Sequence, residues 1–87
     1  MRIEVNQDIC IGDGSCVMLA GKTFKLNEKW KCYILSKPPV GENSSNGTVK
    51  AEVTAEMDER DALIEAARAC PVQAIRLFED DGTEIKI

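Results

Sequence analysis

Short stretches in which apolar and polar residues alternate predict a protein built from small strands. Alternation of this kind places every second side chain on one face, which can then be buried against a core. The predicted strands are residues 2–5, 24–26, 30–35, 49–53, 74–78 and, after the turn signal Asp81-Gly82, 84–87. Residues 24–26 and 30–35 are expected to pair through a turn at positions 27–28.

Two segments have helical spacing instead. In residues 58–69 the apolar positions recur every three or four residues, and Asp58 is the expected N-terminal cap. Pro71 should end this helix, because the residue before a proline avoids helical angles. Residues 17–20 predict one or two further turns that stop at Gly21.

Residues 36–47 have no periodic apolar pattern and are rich in Pro, Gly, Ser and Asn. We expect a mobile surface loop there, inserted into a single domain that covers residues 1–87.

The chain has 87 residues, of which 44% are hydrophobic and 5% aromatic. A domain this short buries too little surface to be comfortably stable on a mainly aliphatic core alone. Binding of an inorganic centre can supply the missing free energy of folding. Of the aromatic residues, Phe24, Trp30 and Tyr33 are predicted to be packing residues.

The net charge of −4 is unevenly distributed. Residues 1–50 contain seven basic and five acidic side chains, and residues 51–87 contain four basic and ten acidic ones. This acidic second half disfavours nucleic acid and favours a protein partner with a basic patch, although a merely solvated surface explains it equally well.

No stretch is apolar enough to span a membrane, and the N-terminus lacks the pattern of a signal peptide. These features predict a cytoplasmic protein. In that reducing compartment, four cysteines are expected to be metal ligands or free thiols rather than disulfides.

Three of the cysteines form the most informative pattern. Cys10 and Cys16 lie in the run C-I-G-D-G-S-C with Asp13 between them, and Cys70 is followed by proline. Thiolates are soft donors that suit iron, so three of them with one carboxylate are enough for four metal positions. If Cys10 and the remote Cys70 bound the same metal centre, they would also close a long loop of the chain and so lower the entropy of the unfolded state.

Two glycines in this run are predicted to assist binding. Gly12 and Gly14 permit the tight curl of the loop and let its N–H groups face a bound anion.

These residues resemble the single-cluster branch of the bacterial-type ferredoxins, whose run is C-x2-C-x2-C-x3-C-P with a distant C-P. The resemblance covers nearly the whole chain apart from residues 36–47. It implies an α+β fold with pseudo-two-fold β-α-β repeats, in which short antiparallel sheets and two helices surround one iron-sulfur cluster.

The same resemblance implies that Cys10, Cys16 and Cys70 are cluster ligands, with Asp13 at the position of the second cysteine and Ala20 at that of the fourth. The cluster is then 4Fe-4S, or 3Fe-4S if Asp13 does not hold the fourth iron. A carboxylate is a more easily displaced donor than a thiolate, so this iron is predicted to be labile.

The function implied is one-electron transfer between a reductase or oxidoreductase and an acceptor enzyme, by a monomer that catalyses no reaction itself. The chain has no histidine, and no activated nucleophile can be named. Two alternatives stay open: a small zinc-binding structural module, and a fixed electron-transfer subunit of a larger oxidoreductase.

Individual residues have simpler interpretations as well. The three cysteines of the pattern could be thiols that only pack, and Asp13 could be a turn aspartate that bonds its own backbone. Cys32, on the predicted strand with Trp30 and Ile34, is predicted to be a core thiol rather than a ligand or redox switch.

Overall fold

The computed structural model describes residues 1–86, which form two small antiparallel sheets and two helices. In chain order the elements are β1 (Arg2–Asn6), α1 (Ser15–Leu19), β2 (Phe24–Leu26), β3 (Cys32–Ile34), β4 (Thr48–Glu52), α2 (Arg60–Ala69) and β5 (Ile75–Phe78). The prediction of an α+β fold with short antiparallel sheets and two helices is therefore confirmed.

The larger sheet has the order β4-β1-β5, with β1 antiparallel to both neighbours. Ile3 and Val5 of the central strand are completely buried, and Ile3 lies opposite Leu77 while Val5 lies opposite Ile75. The alternation in the sequence thus gives the buried face of the sheet, as predicted.

The smaller sheet pairs β2 with β3, and Phe24 lies opposite Ile34. Phe24 and Tyr33 are buried, as predicted, but the predictions for Trp30 are wrong. Trp30 lies before β3 in the turn, with φ 61° and a side chain that is 69% exposed. The turn therefore takes up part of the segment that was predicted to be strand.

Helix α2 packs on α1 and on β5 through its buried side chains Leu63, Ala66 and Ala67. The prediction that Asp58 caps this helix is wrong. The cap position is Glu59, and Asp58 Oδ2 instead accepts hydrogen bonds from the Lys22 amide (2.9 Å) and the Thr23 hydroxyl (2.8 Å). Asp58 thereby ties the start of α2 to the chain that follows α1.

Residues 36–47 form a surface loop, as predicted, and side chains from elsewhere hold its backbone. The buried Gln7 donates through Nε2 to the carbonyl of Gly41 (3.1 Å). Asn27 donates through Nδ2 to the carbonyls of Gly41 (2.9 Å) and Ser44 (2.7 Å).

At the C-terminal end, the turn at Asp81 brings the chain back towards β5. In the described part of the predicted strand 84–87, only a single bridge forms, between Glu84 and Phe78. Ile87 lies outside the described residues. Within residues 1–86, no helix is long and apolar enough to cross a membrane.

Candidate metal centre

The loop from Cys10 to Cys16 leaves β1 and ends in α1, with its two cysteine side chains buried. Gly12 and Gly14 have φ of 70° and 82°, which are left-handed angles that favour glycine. A Cβ atom on Gly12 would lie 2.3 Å from the carbonyl oxygen of Trp30. The loop therefore packs directly against the turn before β3, as only a glycine allows.

Two groups at the start of β3 donate hydrogen bonds to Cys10. They belong to the first residue of the strand and to the residue before it. Its sulfur accepts a hydrogen bond from the Cys32 amide at 3.3 Å, and its carbonyl accepts one from Lys31 Nζ at 2.7 Å. A backbone N–H directed at a sulfur atom stabilises negative charge there. The start of β3 thus places a dipole and a cationic group beside Cys10.

Cys16 lies in the first turn of α1, and its sulfur is 3.3 Å from the sulfur of Cys32. This hydrogen bond between the two side chains lowers the pKa of Cys16. It raises the pKa of Cys32, and burial and the nearby sulfurs of Cys16, Cys10 and Cys70 act in the same direction.

Cys70 follows α2 and is half-buried. Its sulfur accepts a hydrogen bond from the Ala74 amide at 3.3 Å, which resembles the bond that Cys10 receives. The Ser15 hydroxyl oxygen lies 3.4 Å from the carbonyl oxygen of Ala69, which places the loop from Cys10 to Cys16, the candidate metal-binding loop, beside the end of α2. Cys10 and Cys16 both contact Cys32, so the fold brings two of the three cysteines to one buried residue, while Cys70 lies at the end of α2.

Asp13 lies at the surface of the loop. Its Oδ1 accepts hydrogen bonds from the amide (3.1 Å) and the hydroxyl (2.9 Å) of Ser15. This is the turn geometry that the sequence raised as the alternative to a ligand. The carboxylate is exposed at one side of the loop, and its role as a ligand stays a prediction.

The donor set has the chemistry that an iron-sulfur cluster needs. Within residues 1–86, no three His, Cys, Asp or Glu side chains converge closely enough to hold a single metal ion. A cluster binds one donor at each of several irons, so its ligands need not meet at one point. Soft sulfur donors, N–H groups directed at two of them and a glycine loop are consistent with an iron-sulfur cluster.

Cys32 is the residue of this centre that the sequence did not reveal. Its burial was predicted, and it is 1% exposed, but its contacts with Cys10 and Cys16 were not. These contacts join positions 22 and 16 residues apart. No local pattern in the sequence encodes them, because they depend on how the metal-binding loop packs on β3.

Large apolar side chains are exposed in and around the metal-binding loop. They are Ile9 (43% exposed), Ile11 (60%), Met18 (87%), Leu19 (45%) and Trp30 (69%). We call this set the apolar rim. Such a concentration of exposed apolar residues beside one site is typical of an interaction surface.

Comparison with known proteins supports this chemistry. Residues 3–77 match the family described as "4Fe-4S single cluster domain". Ferredoxin-2 of Streptomyces griseolus is 35% identical over 81 residues, which cover 91% of this chain and 100% of that protein. A ferredoxin of Thermococcus kodakarensis is 32% identical over 78 residues, which cover 90% of this chain and 94% of that protein.

A third relative is a longer protein. Ferredoxin fas2 of Rhodococcoides fascians is 33% identical over 81 residues, which cover 92% of this chain but only 21% of that protein. No solved structure gives a significant match.

Proposed function

The chain belongs to the 4Fe-4S single-cluster ferredoxins, and we propose that it passes single electrons from a reductase or oxidoreductase to an acceptor enzyme. Members of this family are electron-transfer proteins rather than enzymes, and the chain carries one iron-sulfur cluster. The zinc-binding alternative is therefore wrong. The observation that carries the proposal is the match of residues 3–77 to this family.

We assign Cys10, Cys16 and Cys70 as cluster ligands and Asp13 as the donor to the remaining iron. The burial of Cys10 and Cys16 and the amide hydrogen bonds to Cys10 and Cys70 support the three thiolates. The exposure of Asp13, and its hydrogen bonds to Ser15, support a weaker and displaceable fourth donor. The cluster is then 4Fe-4S, and 3Fe-4S after loss of that iron.

When bound, the cluster supplies the redox chemistry by accepting and releasing one electron. The protein stabilises the added negative charge with groups already in place. These are the amides of Cys32 and Ala74 and the ammonium group of Lys31, which donates to the carbonyl of Cys10. Burial of Cys10 and Cys16 keeps water away and makes these dipoles more effective.

The apolar rim is the proposed docking surface, because it surrounds the loop from which an electron leaves. Exposed carboxylates of α2 and of the segment after β5 add a negative field, which favours a partner with a basic patch around an apolar contact. A free carrier should use a small interface of this kind, because it must dissociate after each transfer.

A fixed subunit or domain is the second candidate. Ferredoxin fas2 matches this chain over only 21% of its own length, so a similar sequence also occurs as part of a longer protein. Copurification in a stable stoichiometric complex would favour this candidate over a free carrier.

We further infer that residues 1–87 are a single domain with an insertion at 36–47, working as a monomer in the cytoplasm without nucleic acid or membrane. One continuous core supports the single domain. The placement of α1 between β1 and β2, and of α2 between β4 and β5, supports a pseudo-two-fold β-α-β repeat.

Anaerobic purification followed by iron and acid-labile sulfide analysis tests the proposed function. We expect three to four irons and four sulfides per chain, and electron paramagnetic resonance then separates the two cluster forms. An oxidised three-iron cluster gives a signal, and an oxidised low-potential four-iron cluster is silent. Protein that contains neither iron nor sulfide would contradict the proposal.

A further inference from the structure

Cys32 is a fourth cysteine that the ligand assignment does not use, yet it contacts two of the assigned ligands. Its sulfur lies 3.3 Å from that of Cys16, and its amide donates to the sulfur of Cys10 at 3.3 Å. The side chain is completely enclosed, with 1% of its surface exposed. A thiol in this position is shielded from solvent and contacts two of the assigned ligands.

The short distance between the sulfurs argues against Cys32 as an additional ligand. Two cysteines that bind different irons of one cluster are separated by those irons and by the sulfides that bridge them. Sulfur atoms 3.3 Å apart leave no room for such atoms between them. In this arrangement Cys16 and Cys32 cannot both bind, and Cys16 belongs to the metal-binding loop.

The contact has a defined direction once Cys16 is a ligand. A metal-bound cysteine sulfur is a thiolate without a proton, so it can only accept a hydrogen bond. Cys32, unbound and buried, keeps its proton because a second bare thiolate there would be an uncompensated buried charge.

We propose that Cys32 is a positioning residue whose thiol donates an S–H hydrogen bond to the ligand sulfur of Cys16 and thereby raises the reduction potential of the cluster. Reduction adds negative charge, part of which resides on the ligand sulfurs. A donor aimed at one of these sulfurs stabilises the reduced form more than the oxidised form.

The surrounding hydrogen bonds fix the backbone of Cys32 on both sides. Its amide is held by the Cys10 sulfur, and its carbonyl accepts a hydrogen bond from Gln7 Nε2 at 3.1 Å. Cys32 also pairs with Leu26 in the smaller sheet. Because the same Gln7 nitrogen donates to Gly41 in the 36–47 loop, this loop helps to hold the residue that carries the thiol.

Substitutions at this one position test the proposal. Cys32→Ala removes the donor, and we expect the equilibrium constant for one-electron reduction to fall by roughly tenfold, which corresponds to about 59 mV towards more negative potential. Cys32→Ser keeps a donor of similar size and should stay close to the wild-type potential. Direct voltammetry of the loaded proteins gives the potentials, and iron analysis confirms equal cluster content.

Infrared spectroscopy of the loaded wild-type protein supplies an independent measurement. The S–H stretching band lies in a region free of other protein bands, and we expect one band, shifted down by hydrogen bonding, that disappears in Cys32→Ala. The presence of the band in the wild-type protein is itself a readout that needs no variant, and Cys32→Ala assigns the band to Cys32.

The possible results distinguish a failure of this proposal from a failure of the proposed function on which it rests. A fully loaded Cys32→Ala protein with an unchanged potential overturns the role of the thiol alone. Absence of the S–H band, or loss of iron in Cys32→Ser with a changed resonance signal, also overturns it, because Cys32 would then be a ligand. Wild-type protein without iron and sulfide overturns the proposed function itself.

Discussion

In the proposed assignment, Asp13 is the donor to the fourth iron, and its side chain would then determine how firmly that iron is held. Its exposed carboxylate is a harder donor than a thiolate and is shared with the amide and hydroxyl of Ser15. We expect Asp13→Cys to retain four irons after mild oxidation that converts the wild type to the three-iron form. Electron paramagnetic resonance during the oxidation follows this conversion.

Asp8→Cys is the matched control, because it adds a thiol at an exposed position just before the metal-binding loop. It should convert as fast as the wild type. Equal rates of iron loss in Asp13→Cys and the wild type would show that Asp13 does not hold the fourth iron.

Alanine substitutions at Gly12 and Gly47 distinguish the stability cost of the backbone angle from the stability cost of close packing. Both have left-handed angles, with φ of 70° and 81°. A Cβ at Gly12 would lie 2.3 Å from the Trp30 carbonyl, whereas one at Gly47 meets nothing within 4 Å. Gly47→Ala should cost about 1 kcal/mol from the backbone angle alone.

We expect Gly12→Ala to cost more than Gly47→Ala and to lower the iron content, because the metal-binding loop must move away from the turn that holds Cys10. Urea unfolding and iron analysis of both variants measure the difference. If the two variants lose equal stability and keep full iron, the close contact at Gly12 has no role in forming the site.

At the scale of elements, Asn27 links the turn before β3 to the 36–47 loop. Its Oδ1 accepts from the amides of Lys29 (2.9 Å) and Lys31 (3.1 Å), and its Nδ2 donates to two carbonyls of the loop. Asn27→Ala should cost roughly 2–3 kcal/mol, because it breaks these bonds at a buried position. Urea unfolding measures the loss.

Amide hydrogen exchange locates the effect of Asn27→Ala. Protection should fall at Lys29 and Lys31, whose amides lose their acceptor. The control Asn46→Ala changes an exposed asparagine within the loop and should leave both amides protected. Unchanged exchange at Lys29 and Lys31 in Asn27→Ala would exclude the linking role.

The elements that the sequence predicted correctly are those with local signals. The predicted strands 2–5 and 74–78 alternate and contain most of β1 and all of β5, and α2 has helical spacing, so each element needs only its own residues to be recognised. Asp58 and Trp30 were predicted wrongly because distant residues decide their roles. Asp58 bonds to Thr23, and Trp30 adopts a positive φ in the turn against which Gly12 packs.

For the metal-binding loop, local sequence predicts one part of the arrangement and does not predict another. The spacing of its cysteines and the distant C-P pair led to the resemblance that implies Cys10, Cys16 and Cys70 as ligands, and this assignment stays a prediction. The position of Cys32 beside them required the fold, because strand pairing and the packing of the loop bring it there.

At the scale of the whole molecule, the acidic second half should accelerate association with a basic partner. Glu59 and Asp61 are exposed around the start of α2. Neutralising both, with Glu59→Gln and Asp61→Asn, should lower the rate of electron transfer to a basic acceptor protein several-fold at low salt. Stopped-flow kinetics over a range of salt concentrations measures this rate and its salt dependence.

Glu28→Gln with Glu42→Gln removes the same charge from exposed positions in the other half of the chain. This control should change the rate less. If both double variants slow transfer equally, net charge rather than the acidic surface guides the partner.

The cluster should also supply a large part of the stability of the fold. As the proposed ligands, Cys10 and Cys70 would close a segment of about sixty residues, and closing a loop of that length stabilises a folded chain by about 4 kcal/mol in the chain-entropy model. A whole domain of this size is stable by only about 5–15 kcal/mol. Removing the cluster with a chelator should therefore leave a marginally stable chain, whose urea midpoint lies far below that of the loaded protein.

The visible absorbance of the cluster and the far-ultraviolet circular dichroism of the chain should be lost together when the loaded protein unfolds, because the ligands come from both ends of the molecule. Cys70→Ser should resemble the cluster-free protein, whereas Cys32→Ala, which keeps the assigned ligands, should resemble the loaded one. A cluster-free chain with an unchanged midpoint would mean that the core around β1 and α2 suffices alone. The metal centre would then be an addition to a fold that does not depend on it.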